Sequence, residues 1–335
     1  MAGKSGREIS AVPEGGLKSK LLSWEGALVL ILIGVNIFGA LVSDVYNVTN
    51  VLREMPKYLA EAFMVFGMGY ILILGDIDIS VGSIVCLSGT VACFVGNAGM
   101  PFPIVMIACI ATGLVCGMIN GFIATRFTEL PTMIITLGTQ IIFRGIAEVS
   151  LGSGGSISMN DPSGLKAIAS KIGPFPISFF LVIIGAIIFI TILNKATFGR
   201  KMYACGSNQV AAKYAGIEVQ KMRFFAFSFM GLQAGLCAIF LLSTLFGANT
   251  TTGNGFEMEV IAMCVFGGIA TTGGKGNLLG GFIAAFIIFC IRIVLGQKNV
   301  NTQLVLVIIG LMLIVSVVVP AISQAFGRKK KTGKE

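Results

Sequence analysis

The chain has no histidine. That excludes His-based zinc sites, Ser-His nucleophile pairs and imidazole proton relays. Charge is also scarce: 12% of the residues are Asp, Glu, Lys or Arg, against about 25% in a soluble domain. There is one Trp, and Phe is the only abundant aromatic, so no stacked sugar platform of the soluble-lectin kind is evident. No pair of the eight Cys is spaced as CxxC, and almost all fall inside apolar runs. They read as small packing residues, with no disulfide framework and no metal site expected.

What is present is apolar. The chain is 55% hydrophobic, with a mean hydropathy of +0.92. Ten runs are apolar and long enough to suggest spans, near 25–43, 58–74, 79–96, 102–124, 132–150, 175–194, 224–246, 257–271, 277–296 and 302–322. A bilayer core asks for about 20 such residues per helix. The expected fold is therefore all-α, a polytopic integral membrane protein in a lipid bilayer. A tail at 1–24, a transmembrane domain at 25–322 and a basic tail at 323–335 complete the division. No signal-peptide pattern precedes the first run, which is expected to be a retained span.

Orientation follows from the connections. With the N-terminus inside, seventeen of the 24 Lys and Arg residues fall in inner segments and five in outer ones. Both termini are therefore expected in the cytoplasm. The formal charge of +9 is mostly this topology signal and does not point to nucleic acid.

Two motifs of membrane and nucleotide enzymes fail. The GxGD signature of intramembrane aspartyl proteases lacks its first Gly, because Ile73 stands there. The run "GIATTGGKGN" at 268–277 resembles a phosphate-binding Walker A loop, but Gly274 replaces the Lys and Lys275 the Ser/Thr. It reads as a tight inner turn. No catalytic residue, cofactor or nucleotide hydrolysis is expected of this chain.

The longest inner connection, 195–223, carries six basic residues. Its middle reads as a short surface helix, with Ser207 or Asn208 as N-cap and Gly216 at the left-handed C′ position. Here "VAAKYAG" resembles the E-A-A-x-x-x-G loop of ATP-binding cassette (ABC) importer permeases, with Val210 in place of Glu. The surrounding "FGRKMYACGSNQVAAKYAGIEV" is similar to the ribose-type sugar permeases. So are "GDIDISVGS" at 75–83, "TLGTQIIFRG" at 136–145 and "GNGFEMEVIAMCVFGGIATTGGKGN" at 253–277. Together they look nearest the branch carrying the furanosyl autoinducer and rhamnose.

That resemblance implies an inverted-repeat, type II importer-like architecture. It implies a coupling helix, Asn208, Ala211, Ala212, Gly216 and Ile217 among its residues, that docks on a separate cytoplasmic ATP-binding subunit. It also implies an extracytoplasmic solute-binding protein, a second permease copy or similar permease, and residence in a bacterial inner membrane. The expected cargo is a monosaccharide or similar small hydrophilic solute. An ion-coupled secondary transporter is the alternative, and it leaves the docking-type loop unexplained.

Ionisable groups at membrane depth are functional candidates by default. Asp76 and Asp78 have no Lys or Arg nearby in the sequence. Gly75 and Gly82 bracket them, which suggests a helix break with Asp78 or Ser80 capping the next helix and Asp76 the more replaceable. Asp76, Asp78, Ser80 and Asn120 are then candidates to line a pathway. Arg144 and Glu148, four apart, are expected to neutralise each other on one helical face. Arg292 and Gln140 raise the same question of a polar wall. The acid pair Glu257 and Glu259 opens the eighth run as Asp76 and Asp78 open the third, a weak echo of an inverted repeat.

Overall fold

The computed structural model describes residues 23–301, 304–312, 314 and 318. The expected basic tail 323–335 lies outside the described residues, as do much of the tenth run and the expected tail 1–24 apart from Ser23 and Trp24, where α1 begins. In chain order the first helices are α1 (Trp24–Val42), α2 (Val48–Glu54), α3 (Pro56–Leu74), α4 (Val81–Asn97), α5 (Phe102–Arg126) and α6 (Thr132–Leu151). A connection follows with β1 (Ser156–Ser158), α7 (Ser163–Ile168), β2 (Lys171–Ile172) and β3 (Phe175–Pro176). Then come α8 (Ile177–Lys195), α9 (Thr197–Ser207), α10 (Gln209–Tyr214), α11 (Val219–Leu245), β4 (Gly247–Asn249), α12 (Phe256–Phe266) and α13 (Leu278–Gln297).

The architecture is helical, with two small antiparallel pairs, β1 with β4 and β2 with β3. Seven helices among the described residues are long and apolar enough to cross a membrane: α1, α3, α5, α6, α8, α11 and α13. Two of the ten expected spans are shorter. The run at 79–96 becomes α4, 17 residues long. The run at 257–271 is helical only over the 11 residues of α12, or about 16 Å at 1.5 Å per residue. Glycine stops it: Gly268 has φ +92°, and its N–H and that of Ile269 turn back to the Val265 and Cys264 carbonyls, a Schellman closure.

α3 is the axis of the bundle, with every residue from Leu59 to Leu74 buried. It has no polar face, which suits a helix ringed by others. α11 packs along it and along α5. The α5–α11 crossing is close because Gly113 and Gly117 oppose Gly231 and Gly235; a Cβ on Gly113 or Gly231 would overlap the other's backbone carbonyl. Small residues four apart let helix backbones meet in lipid, where no hydrophobic force between helices is available. The outer helices α1, α5, α6 and α8 expose apolar side chains such as Leu41, Ile107, Ile141 and Ile187, as a lipid-facing surface requires. All eight cysteines are free and buried.

The connection at 195–223 holds more structure than its sequence suggests. In place of a single short helix it contains α9 and α10 in series. α9 is clamped to the bundle: Gly206 lies against the Ile73 carbonyl and the Gly274 N–H, and the Tyr203 hydroxyl donates to the Gly276 carbonyl at 2.8 Å. The glycine run at 268–277 is thus a turn packed between α9 and the end of α3, where Gly274 N–H donates to the Ile73 carbonyl at 2.8 Å.

Candidate functional site: a buried helix break and its charged partners

α3 ends at Gly75, with φ +82°. Its N–H and that of Asp76 return to the Leu72 and Ile71 carbonyls, the same glycine-dependent closure as at α12. Residues 76–79 then run without regular structure to α4, although Asp76, Asp78 and Ile79 are buried. Unwound backbone inside a bundle needs hydrogen-bond partners from elsewhere. α6 supplies them. The Thr136 hydroxyl accepts from the Ile79 N–H at 3.1 Å, and the Thr132 hydroxyl from the Ile77 N–H at 3.5 Å.

Asp76 is paired after all. Arg223 donates through Nε to Asp76 Oδ2 at 2.7 Å and through Nη2 to Oδ1 at 2.9 Å. Its remaining Nη1 reaches the Ala124 carbonyl at 3.3 Å. Thr132 adds a bond to Asp76 Oδ1 at 3.2 Å. Arg223 had counted among the basic residues of the inner loop; it sits instead near the start of α11, 6% exposed. A pair separated by 147 positions leaves no trace in local sequence. With Gln209, Thr128 and Glu129, this pair lines a cleft of about 400 Å³.

Asp78 is fully buried and differs from Asp76. Its Oδ1 accepts the Ser80 N–H at 2.9 Å and the Ser80 hydroxyl at 2.7 Å, a local turn in which the carboxylate holds the entry to α4. Ser80 itself caps no helical N–H. Asn120 on α5 donates to the Ser80 hydroxyl at 2.7 Å. The structure therefore brings Asp78, Ser80 and Asn120 into one buried chain of hydrogen bonds.

Arg144 and Glu148 do not pair. Arg144 Nη1 donates to the Thr250 and Thr252 carbonyls at 3.0 and 2.7 Å, while Glu148 is exposed. The loop between β4 and α12 has carbonyls free to accept, and they compete successfully with a solvent-exposed carboxylate. This fixes the loop so that Gly253 packs on Gly82 in the first turn of α4, with Glu257 beside it. Gln140 faces Glu257 at 3.5 Å. The starts of α4 and α12 thus meet inside the bundle. The same segment meets α6 through Arg144 and Gln140.

At the far end of this assembly, Asn208 caps α10 by accepting the Ala211 N–H at 2.9 Å. Gly216 has φ +79°; its N–H and that of Ile217 close onto the Lys213 and Ala212 carbonyls, both at 3.0 Å. Ala212 is buried beneath the helix. Val210 and Tyr214 project outward, 65% and 89% exposed, and clefts of about 540 and 580 Å³ flank them.

Residues 57–317 match the family model described as branched-chain amino acid transport system / permease component. The chain belongs to this permease family. Among curated proteins it is 30% identical over 267 residues to the autoinducer 2 import system permease protein LsrC of Salmonella paratyphi B, covering 79% of this chain and 76% of that one. It is 34% identical over 237 residues to the protein of the same name from an Enterobacter species, covering 69% and 67%. No solved structure matches. This permease is thus a transport component and not an enzyme, and the ribose-type likeness read from the four motifs holds at family level.

Sequence reasoning missed Arg223, Thr132 and Thr136 as parts of the break, and it missed Glu61. Glu61 lies near the start of the apolar run at 58–74, 2% exposed on α3. A lone acid in such a run was the signal available.

Proposed function

We propose that this permease is the membrane-embedded subunit of an ABC importer and moves a small hydroxylated solute, of the monosaccharide or autoinducer class, into the cytoplasm. The observation that carries the reading is α10, a short capped helix that presents Val210 and Tyr214 to the outside. It is the part that a separate ATP-binding subunit would grip. The names of the relatives support the solute class. A second copy or similar permease, and a solute-binding protein outside, complete the proposed machine, with both termini and the 195–223 connection in the cytoplasm.

Force applied at α10 has a short route inward. α10 follows α9, which is clamped to the end of α3 at Ile73. On its other side the chain enters α11, whose Arg223 holds Asp76. Both routes end on the irregular segment 76–79. Movement of α10 would therefore be felt where Asp78, Ser80 and Asn120 lie.

The test is reconstitution in liposomes with an ATP-binding subunit and a solute-binding protein encoded beside this chain. Uptake that needs ATP and all three components is the expected result. Uphill uptake by the chain alone, driven by a proton or sodium gradient, would overturn the reading in favour of a secondary transporter. Labelling of a single Cys at position 213 from outside intact cells would overturn the orientation.

A further inference from the structure

Three charged side chains on three helices meet in the interior: Glu61 of α3, Glu259 of α12 and Arg292 of α13. Glu61 is 2% and Glu259 6% exposed. Arg292 Nη1 donates to Glu61 Oε1 at 3.1 Å and Oε2 at 3.4 Å. Its Nη2 pairs with Glu259 Oε1. The two carboxyl groups are thus held side by side by the two terminal nitrogens of one guanidinium. Glu259 Oε2 is buried with no hydrogen-bond donor.

The charges do not balance. There are two carboxyls and one guanidinium, and among the described residues no second Lys or Arg pairs with either acid. The groups facing the cluster add no positive charge. Tyr58 presents its ring to Arg292, 5.6 Å from the guanidinium carbon. Cys237 of α11 faces Glu61, and Glu257 lies on α12 itself. Lys57 is already paired with Glu54, and Arg53 is exposed beside them. Two buried carboxylates gripped by a single guanidinium leave one negative charge uncompensated, and burial disfavours that charge. A proton on one carboxyl removes the excess charge.

We propose that Glu61 and Glu259 share one proton, forming a proton-binding site that fastens α12 to α3 and α13. A cleft of about 230 Å³, lined by Arg53, Glu54, Tyr58, Arg292, Gly296 and Gln297, reaches the cluster at Arg292. α12 is the short helix whose first turn abuts the start of α4 at Gly82. Loss of the proton leaves two like charges pressing α12 away from α3.

The site does not depend on the identity of the solute or of the ATPase, and its test needs neither. Infrared spectra of the purified full chain in detergent should show a protonated-carboxyl C=O band that disappears as pH rises. The band should vanish in Glu61→Gln and in Glu259→Gln and persist in Asp78→Asn. The melting temperature of the wild-type chain should fall with rising pH, and Glu259→Gln should flatten that fall, because an amide stays neutral without titrating. If one Gln variant fails to assemble, the other and the wild-type titration still decide. A carboxyl band untouched by either Gln substitution, or a wild-type melting curve that answers to sodium and not to pH, would overturn the proposal.

Discussion

Arg223 closes two donors on the two oxygens of Asp76, at 2.7 and 2.9 Å, across 147 positions of sequence. Both residues are buried. The pair ties the second residue after α3 to the start of α11, and α11 is the helix that follows the exposed α10. It is the most direct mechanical bond between the proposed coupling helix and the irregular segment.

Breaking one side of a buried, bidentate pair leaves an unmatched charge and costs about 3–5 kcal/mol. Asp76→Ala and Arg223→Ala should each lower thermal stability in detergent by a large margin and abolish uptake. Arg223→Lys should also be damaging, since a Lys ammonium cannot reproduce the fork. The double variant Asp76→Asn/Arg223→Gln should be more stable than either single Ala variant. Equal, additive losses in the double variant would show that the two residues act apart.

Thr136 should matter through its oxygen. It accepts the buried Ile79 N–H, and Val at this position keeps the shape but leaves that donor unmatched, at about 1–3 kcal/mol. Thr136→Val is therefore expected to destabilise the chain and Thr136→Ser to be mild. Thermal melts of the two variants side by side make the comparison; indistinguishable melts would remove the hydroxyl from the account.

For Asp78 the needed feature is an acceptor at Oδ1, where the Ser80 N–H and hydroxyl converge. Asn offers an acceptor there. Asp78→Asn should keep assembly and much of the uptake, while Asp78→Ala should lose roughly 0.5–2 kcal/mol, as when a helix-entry cap is removed. Normal assembly of Asp78→Asn with no uptake would mean that the carboxylate charge itself is used in transport.

Most of the bundle was legible because lipid imposes a simple rule: long apolar runs become helices. Among the described residues seven of the runs form helices long enough to span. The rule fails at 257–271, where apolar residues continue past Phe266 but Gly267 and Gly268 end the helix. Hydropathy measures burial in lipid or protein alike, so it cannot tell a span from a half-length helix packed inside. The break at 75–80 was legible from its glycines and acids. Its partners were not, because Arg223, Thr132 and Thr136 arrive from other helices. Arg144 shows the opposite error: the i, i+4 spacing to Glu148 is a local rule, and two loop carbonyls at 3.0 and 2.7 Å outcompeted it.

Gly216 separates backbone geometry from contact with a partner. Its φ of +79° costs a residue with an ordinary side chain roughly 1 kcal/mol or more, and the closure on Ala212 and Lys213 depends on it. A Cβ placed there meets nothing within 4 Å. The chain itself therefore leaves room for a Cβ at this position. Gly216→Leu is expected to leave the spans folded and inserted, shown by an unchanged melt and membrane yield, but to lose ATPase pull-down or substrate-stimulated ATP hydrolysis. Gly216→Asn tolerates the left-handed backbone and keeps the side chain short. It should be nearly normal if the bend toward Ile217 is what matters, and as damaging as Leu if the partner's wall lies against this position. Normal association and stimulation in Gly216→Leu would remove α10 from the coupling mechanism altogether.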